Sequence, residues 1–201
     1  MMVSTYWQKQ VEQHWGVKAT FSPLAGYLDE NYLLTSDQGR FVFKVMHQGY
    51  KLEDIDLQTS AMRHLQSTLP DLPIPAIVKT HDGASSKLMD DADGNPRHCW
   101  MITALEGADY ANFSPQSDSL IQQIGHYSGE MITVFKGFEH PALSNRQLDW
   151  DLMKASWLKP HIAEMALEKQ PIFTAIMQQF EQDCLPRLKA LPHQPIHNDL
   201  N

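Results

Sequence analysis

Three stretches of the chain carry residue types that can do chemistry. Near the C-terminus, Pro195-Ile196-His197-Asn198-Asp199-Leu200-Asn201 sets a histidine and a carboxylate two residues apart behind apolar residues. A carboxylate so placed can take the proton of a hydroxyl group. With ten histidines in 201 residues the pairing also arises without function, and a polar tail is the plain alternative. In Arg40-Phe41-Val42-Phe43-Lys44-Val45-Met46 a lysine interrupts an apolar run. Strand alternation puts Val42, Lys44 and Met46 on one face and Phe41, Phe43 and Val45 on the other. Burying that ammonium is unfavourable unless an anion such as phosphate meets it, with Val42 beside it against a base. An edge-strand lysine that reaches out to water is the alternative. Upstream, residues 24–31 hold Gly26, whose missing side chain lets backbone N–H groups come close to a phosphate. Asp29 and Glu30 would repel phosphate if turned inward, so a plain hairpin also fits.

Composition narrows the classes of partner. The formal net charge is −8, with 42% hydrophobic and 20% charged residues, as in ordinary globular proteins. Without a run of Lys or Arg to displace counterions, nucleic acid is not an expected partner. Cys99 and Cys184 sit in no Cys-x-x-Cys pair, which argues for a reducing compartment and against a structural zinc site. The N-terminus lacks a basic stretch followed by an apolar run, and no stretch reaches 18 apolar residues. A cytoplasmic protein with no membrane partner is expected.

The elements that must position these residues follow from periodicity. A helical stripe over 6–15 ends at Gly16. Strands are predicted over 19–22, 31–35 and 40–46, the last two joined by a turn at 36–39. A helix over 51–69 ends at Pro70, and strands over 74–78 and 98–104 follow. The simplest assembly is a five-stranded antiparallel sheet with one packed helix. Beyond Gly107 the strand signal vanishes. Ser117-Asp118 caps a helix with a stripe running to Phe138; further helices cover 150–167 and begin at Pro171, with Pro186 kinking or stopping the last. Ile172, Phe173, Ile176, Met177 and Phe180 form a stripe that reads as core. The chain thus divides at 106/107 into a β-rich and a helical part, with a cleft between them as the expected ligand site.

In order and spacing these features resemble the aminoglycoside phosphotransferase and choline kinase family, the small-molecule relatives of protein kinases. Val42-Phe43-Lys44 is similar to its ATP-lysine strand, Trp100 to Gly107 to its strand and hinge, and Ile196 to Asn201 to its catalytic loop. Gly137-Phe138-Glu139-His140-Pro141-Ala142, Trp150-Asp151-Leu152 and 191–201 further resemble hydroxylysine-kinase-type phosphotransferases, including those fused to class III aminotransferases.

The resemblance implies an α+β, protein-kinase-like two-lobe fold. Residues 1–106 would be the nucleotide-binding N-lobe, and 107–201 a truncated helical C-lobe ending inside the catalytic loop. It implies ATP or GTP with Mg²⁺ as cofactor and phosphorylation of a small amino-alcohol or hydroxy-amino-acid hydroxyl. A fused or downstream domain such as an aminotransferase is a possible partner. Asp199 would be the base and His197 would fix its loop; Lys44 would hold the α- and β-phosphates under the Gly26 loop. Val42, Thr103 and Leu105 would surround the adenine. Trp150 and Asp151 would meet a substrate ammonium, although a helix cap and a core tryptophan explain that pair more simply. Three positions depart from the family pattern. Asn198 replaces a common glycine. Gln58 stands where a glutamate pairs with the ATP lysine, Glu53 and Asp56 being the neighbouring carboxylates. The metal-binding Asn would fall three residues past Asn201, so the metal ligands lie outside the chain and little turnover is expected of it. A non-catalytic pseudokinase or a nucleotide- or partner-binding module is the alternative reading. Metal-assisted hydrolysis by His193, His197 and Asp199 has no defensible ligand spacing.

Overall fold

The alternating residues between 19 and 46 become three antiparallel strands. The computed structural model of the chain describes residues 2–108, 110–145 and 150–197. In it β1 (Thr20–Leu24), β2 (Glu30–Ser36) and β3 (Gly39–Val45) are followed by β4 (Ile77–Val78), β5 (Ser86–Asp90) and β6 (Pro96–Thr103). The sheet order is β1-β2-β3-β6-β4, with β5 also paired to β6. Six strands therefore replace the expected five. Ser86–Asp90 reads as part of a polar connection because only Met89 is buried, while Leu88 faces out; its pairing with 96–100 reveals the strand. Two boundaries also move. β1 runs on through Pro23, which is tolerated because β1 is an edge strand. The strand expected over 74–78 shrinks to two residues, since Pro73 and Pro75 have no N–H for a ladder.

One face of this sheet is closed by α1 (Met2–Trp15). Trp7, Val11 and Trp15 recur every four residues and meet Phe43, Val45, Cys99 and Met101 in the largest core cluster. Trp7 and Trp15 flank Phe43 with ring centroids at 5.8 and 5.6 Å. The Trp15 Nε1–H donates to the Val78 carbonyl at 3.0 Å, so the indole is buried with its polar atom satisfied. Gly16 ends the helix at φ +70, a conformation that disfavours a side chain.

The other face carries α2 (Leu52–Thr68), which packs on α3 (Asp118–Phe135) through Leu65, Met131 and Phe135. Ser117 caps α3 by accepting from the Leu120 N–H at 3.2 Å. The described chain forms two compact units: Met1–Leu143 with Pro195–Asn201, and Ser144–Gln194. The composition shift at 106/107 marks where strands stop; α3 lies beyond it yet joins the first unit by packing on α2.

After α4 (Pro141–Asn145), the second unit contains a 3-10 segment (Leu152–Glu164), α5 (Gln170–Gln179), a π-type turn (Phe180–Cys184) and α6 (Leu185–Ala190). The helix expected over 150–167 winds more tightly because Pro160 has no N–H for the i→i−4 ladder. The wide turn just before Pro186 makes room for its ring, so the helix continues instead of stopping. Lys159 and Ser156 reach Glu181 at 2.9 and 2.7 Å, tying the 3-10 segment to that turn; Lys159 first, then Ser156, hold the carboxyl below its usual range. The stripe expected to be core is mostly not: Ile172, Phe173 and Ile176 are exposed and only Met177 is buried.

Candidate functional site

Strand β3 lies between β2 and β6, so Lys44 is not on an edge strand, and its side chain is partly buried. Its ammonium donates to Asn31 Oδ1 at 2.8 Å and lies 5.9 Å from the Trp100 ring centroid. Among the described residues it has no carboxylate ion-pair partner. Burial lowers its pKa, and the charge of Asp29 offsets part of that. Among the described residues the direct contacts of this partly desolvated cation, Asn31 and Trp100, are neutral, which suits it to meet an anion.

Lys44 opens onto a cavity of about 490 Å³. Gln58, Met62 and Leu65 of α2 and Trp100 and Ile102 of β6 form part of its wall, with Leu105 beyond β6. Ile74 between two prolines, Tyr127 and Met131 of α3 complete an apolar lining, and His197 borders it. Lys44, Gln58, Leu105 and His197, up to 153 residues apart in sequence, therefore share one space. Asp199 lies outside the described residues.

The other expected site residues sit elsewhere. Val42 is not a lining residue; its cross-strand partner Ile102 is. Thr103 is tied to Ala76, accepting from its N–H at 2.8 Å and donating its own to the Ala76 carbonyl at 2.9 Å. Gly26 is not in the wall, but nothing larger fits there. A Cβ would come within 2.3 Å of the Asp29 carbonyl oxygen and 2.7 Å of Asn31 Nδ2. Trp150 is exposed and Asp151 caps the 3-10 segment, accepting from the Met153 N–H at 3.0 Å. Both belong to the second unit.

The acids that would repel phosphate are occupied. Asp29 accepts from the His47 backbone N–H at 2.8 Å and shares a hydrogen bond with His47 Nδ1 at 2.9 Å. Glu30 pairs with Arg97 at 3.2 Å and accepts from the Tyr32 hydroxyl at 2.8 Å. Burial and that bond push Tyr32 up to about 12. Of the carboxylates near Gln58, Glu53 pairs with Lys51 and Asp56 with His140. Sequence reasoning missed Asn31, although counting back from the Asp37-Gln38 turn sets it opposite Lys44. It also missed Ile74, Tyr127 and Met131, whose roles depend on how α2 and α3 pack.

A nucleotide fits what is present: a lysine for phosphate and apolar walls at Ile102 and Leu105 for a base. No group of three or more His, Cys, Asp or Glu that could hold a metal ion occurs among the described residues. No helix among them is long and apolar enough to cross a membrane.

Solved structures of small-molecule kinases share this fold. The amicoumacin kinase in complex with AMP-PNP and Ca²⁺ matches with a TM-score of 0.61 at 16% identity, over 87% of this chain and 52% of that one. The microcompartment-associated aminopropanol kinase matches with a TM-score of 0.55 at 22% identity, over 71% and 44%. A spectinomycin phosphotransferase in complex with ADP and spectinomycin gives 0.55 at 10% identity, over 94% and 59%. The chain thus spans about half the length of these structures and has the α+β, protein-kinase-like fold. No curated protein matches it. Residues 20–201 match the phosphotransferase enzyme family, and the chain belongs to that family.

Proposed function

We propose that the chain is part of an ATP-dependent small-molecule kinase that phosphorylates the hydroxyl of an amino alcohol or hydroxy-amino acid. The observation that carries this reading is the shared cavity of Lys44 and His197, which joins a desolvated cation to the loop leading into Asp199. The aminopropanol kinase among the structural neighbours and the hydroxylysine-kinase-like segments favour an amino-alcohol acceptor.

In this proposal Lys44 binds the α- and β-phosphate oxygens of ATP or GTP, while Ile102 and Leu105 flank the base. The apolar wall lowers the local dielectric beside the phosphates, which strengthens the Lys44–phosphate attraction. Asp199 orients the acceptor hydroxyl and takes its proton late in transfer. His197 fixes the loop. A bound Mg²⁺ would neutralise charge on the phosphates.

The test is calorimetric titration with AMP-PNP and Mg²⁺ beside a turnover assay on a panel of amino alcohols. Binding by the wild type that is lost in Lys44→Ala supports the reading, as does Lys44-dependent turnover. Absence of binding by the wild type, or turnover that does not depend on Lys44, contradicts it.

A further inference from the structure

We infer that Asn31, rather than any residue of α2, is the positioning residue that aims the Lys44 ammonium into the cavity, with Gly26 as the space that lets the Asn31 amide sit there. The inference rests on the reading of Lys44 as a phosphate ligand and adds what holds it in place. Asn31 and Lys44 are directly opposed in the β2–β3 ladder, and Lys44 Nζ donates to Asn31 Oδ1 at 2.8 Å. The other end of that amide, Nδ2, points at the Asp29 carbonyl at 3.5 Å. Both ends of the amide are thus used: oxygen towards a cation, nitrogen towards a carbonyl. An aspartate would put a second anionic oxygen against the Asp29 carbonyl.

The helix offers no competing anchor. The residues that α2 turns to the cavity are Gln58, Met62 and Leu65, none of them charged. Gln58 gives its amide N–H to the Tyr50 hydroxyl, and Tyr50 stands edge-on to His47 at a centroid distance of 5.3 Å. Asp29, just before β2, and His47, just after β3, hold each other. Trp100 of β6 is neutral, and His197 borders the cavity. Lys44 therefore keeps a neutral first partner, which leaves its full positive charge for an incoming phosphate; a carboxylate partner would cancel part of it.

Gly26 follows from the same geometry. A Cβ there would come 2.7 Å from Asn31 Nδ2, and this side-chain clash adds to the one with the Asp29 backbone. The glycine makes room for the residue that positions the phosphate-holding lysine.

The experiment is NMR on the 201-residue protein, following the Lys44 Cε and Nζ resonances through a pH titration, with AMP-PNP affinity measured in parallel. Asn31→Ala is expected to shift the Lys44 resonances and weaken AMP-PNP about tenfold, the effect of one hydrogen bond to a charged group. Gln58→Ala should change either by less than about twofold. Asn31→Asp, which keeps the shape of the side chain, should raise the Lys44 pKa, which a side chain turned away from Lys44 would leave alone. Unchanged Lys44 titration in Asn31→Asp, or a Gln58→Ala effect as large as that of Asn31→Ala, overturns the inference. If the wild type binds no AMP-PNP, the kinase reading fails while the Lys44 titration still decides the role of Asn31.

Discussion

The two faces of strands β3 and β6 come from alternate residues of the same segments, and they are put to opposite uses. On one face Phe43, Val45, Cys99 and Met101 are wholly buried under Trp7, Val11 and Trp15. On the other, Lys44, Trp100 and Ile102 border a cavity of about 490 Å³. The first face contributes stability. The second leaves space and a desolvated ammonium, both of which reduce stability in the absence of ligand. A sheet can carry such a site because its opposite face over-supplies the burial. α1, which supplies most of that cover, lies outside the segment matched by the family.

The comparison breaks most visibly at Trp7. Trp7→Ala should cost roughly 3–5 kcal/mol, the usual range for deleting a buried aromatic side chain. In a chain of this size that lowers Tm on the order of 10 °C, read by thermal unfolding. A loss of only a degree or two would mean that α1 is not the stabilising layer.

The opposite face should respond with the opposite sign. Lys44→Met removes the buried charge and keeps the volume, so the ligand-free protein should gain about 2–4 °C in Tm, what ~1 kcal/mol gives. AMP-PNP binding should vanish in the same variant. The folded pKa of Lys44 lies below its unfolded value, so the penalty is fully present below the folded pKa. It is relieved as pH rises from there towards the unfolded value. The stability gap between Lys44→Met and wild type should therefore narrow over that alkaline window in urea melts at several pH values. A constant gap would show that charge burial is not its source.

The smallest effect concerns the thiols. Cys99 is buried in the α1-covered face, and burial pushes its pKa well up, whereas Cys184 is exposed. Native protein should react with one equivalent of a thiol reagent at Cys184, and Cys99 should react only after unfolding. Fast modification of both would mean that the covered face opens readily.

Much of this arrangement was legible in the chain because it depends on local periodicity. The split between Val42/Lys44/Met46 and Phe41/Phe43/Val45 follows from alternation alone, and the Ser117 cap from its residue type. The family likewise followed from the order of weak motifs around Lys44, residues 100–107 and His197. What stayed hidden depends on pairing at a distance. Ser86–Asp90 buries too little to look like a strand until it is laid against 96–100. Gln58 looks like a partner for Lys44 until Tyr50 is seen to hold its amide. Asn31 was within reach, since the two-residue turn fixes the register, but a polar residue at a strand start ordinarily signals only the turn beside it. Apolarity misled in α5, where the helical stripe carries exposed isoleucines, because period reports amphipathicity and not what covers it.

The central claim is that Lys44 lies beside the phosphates of a bound nucleotide. An ATP analogue carrying an acyl group on its γ-phosphate tests it directly: a lysine amine beside the phosphates attacks the acyl carbonyl, forms an amide and releases ATP. Peptide mapping should find the acyl group on Lys44, with labelling suppressed by excess ATP and absent in Lys44→Met. Labelling spread over surface lysines, or unaffected by ATP, would contradict the account.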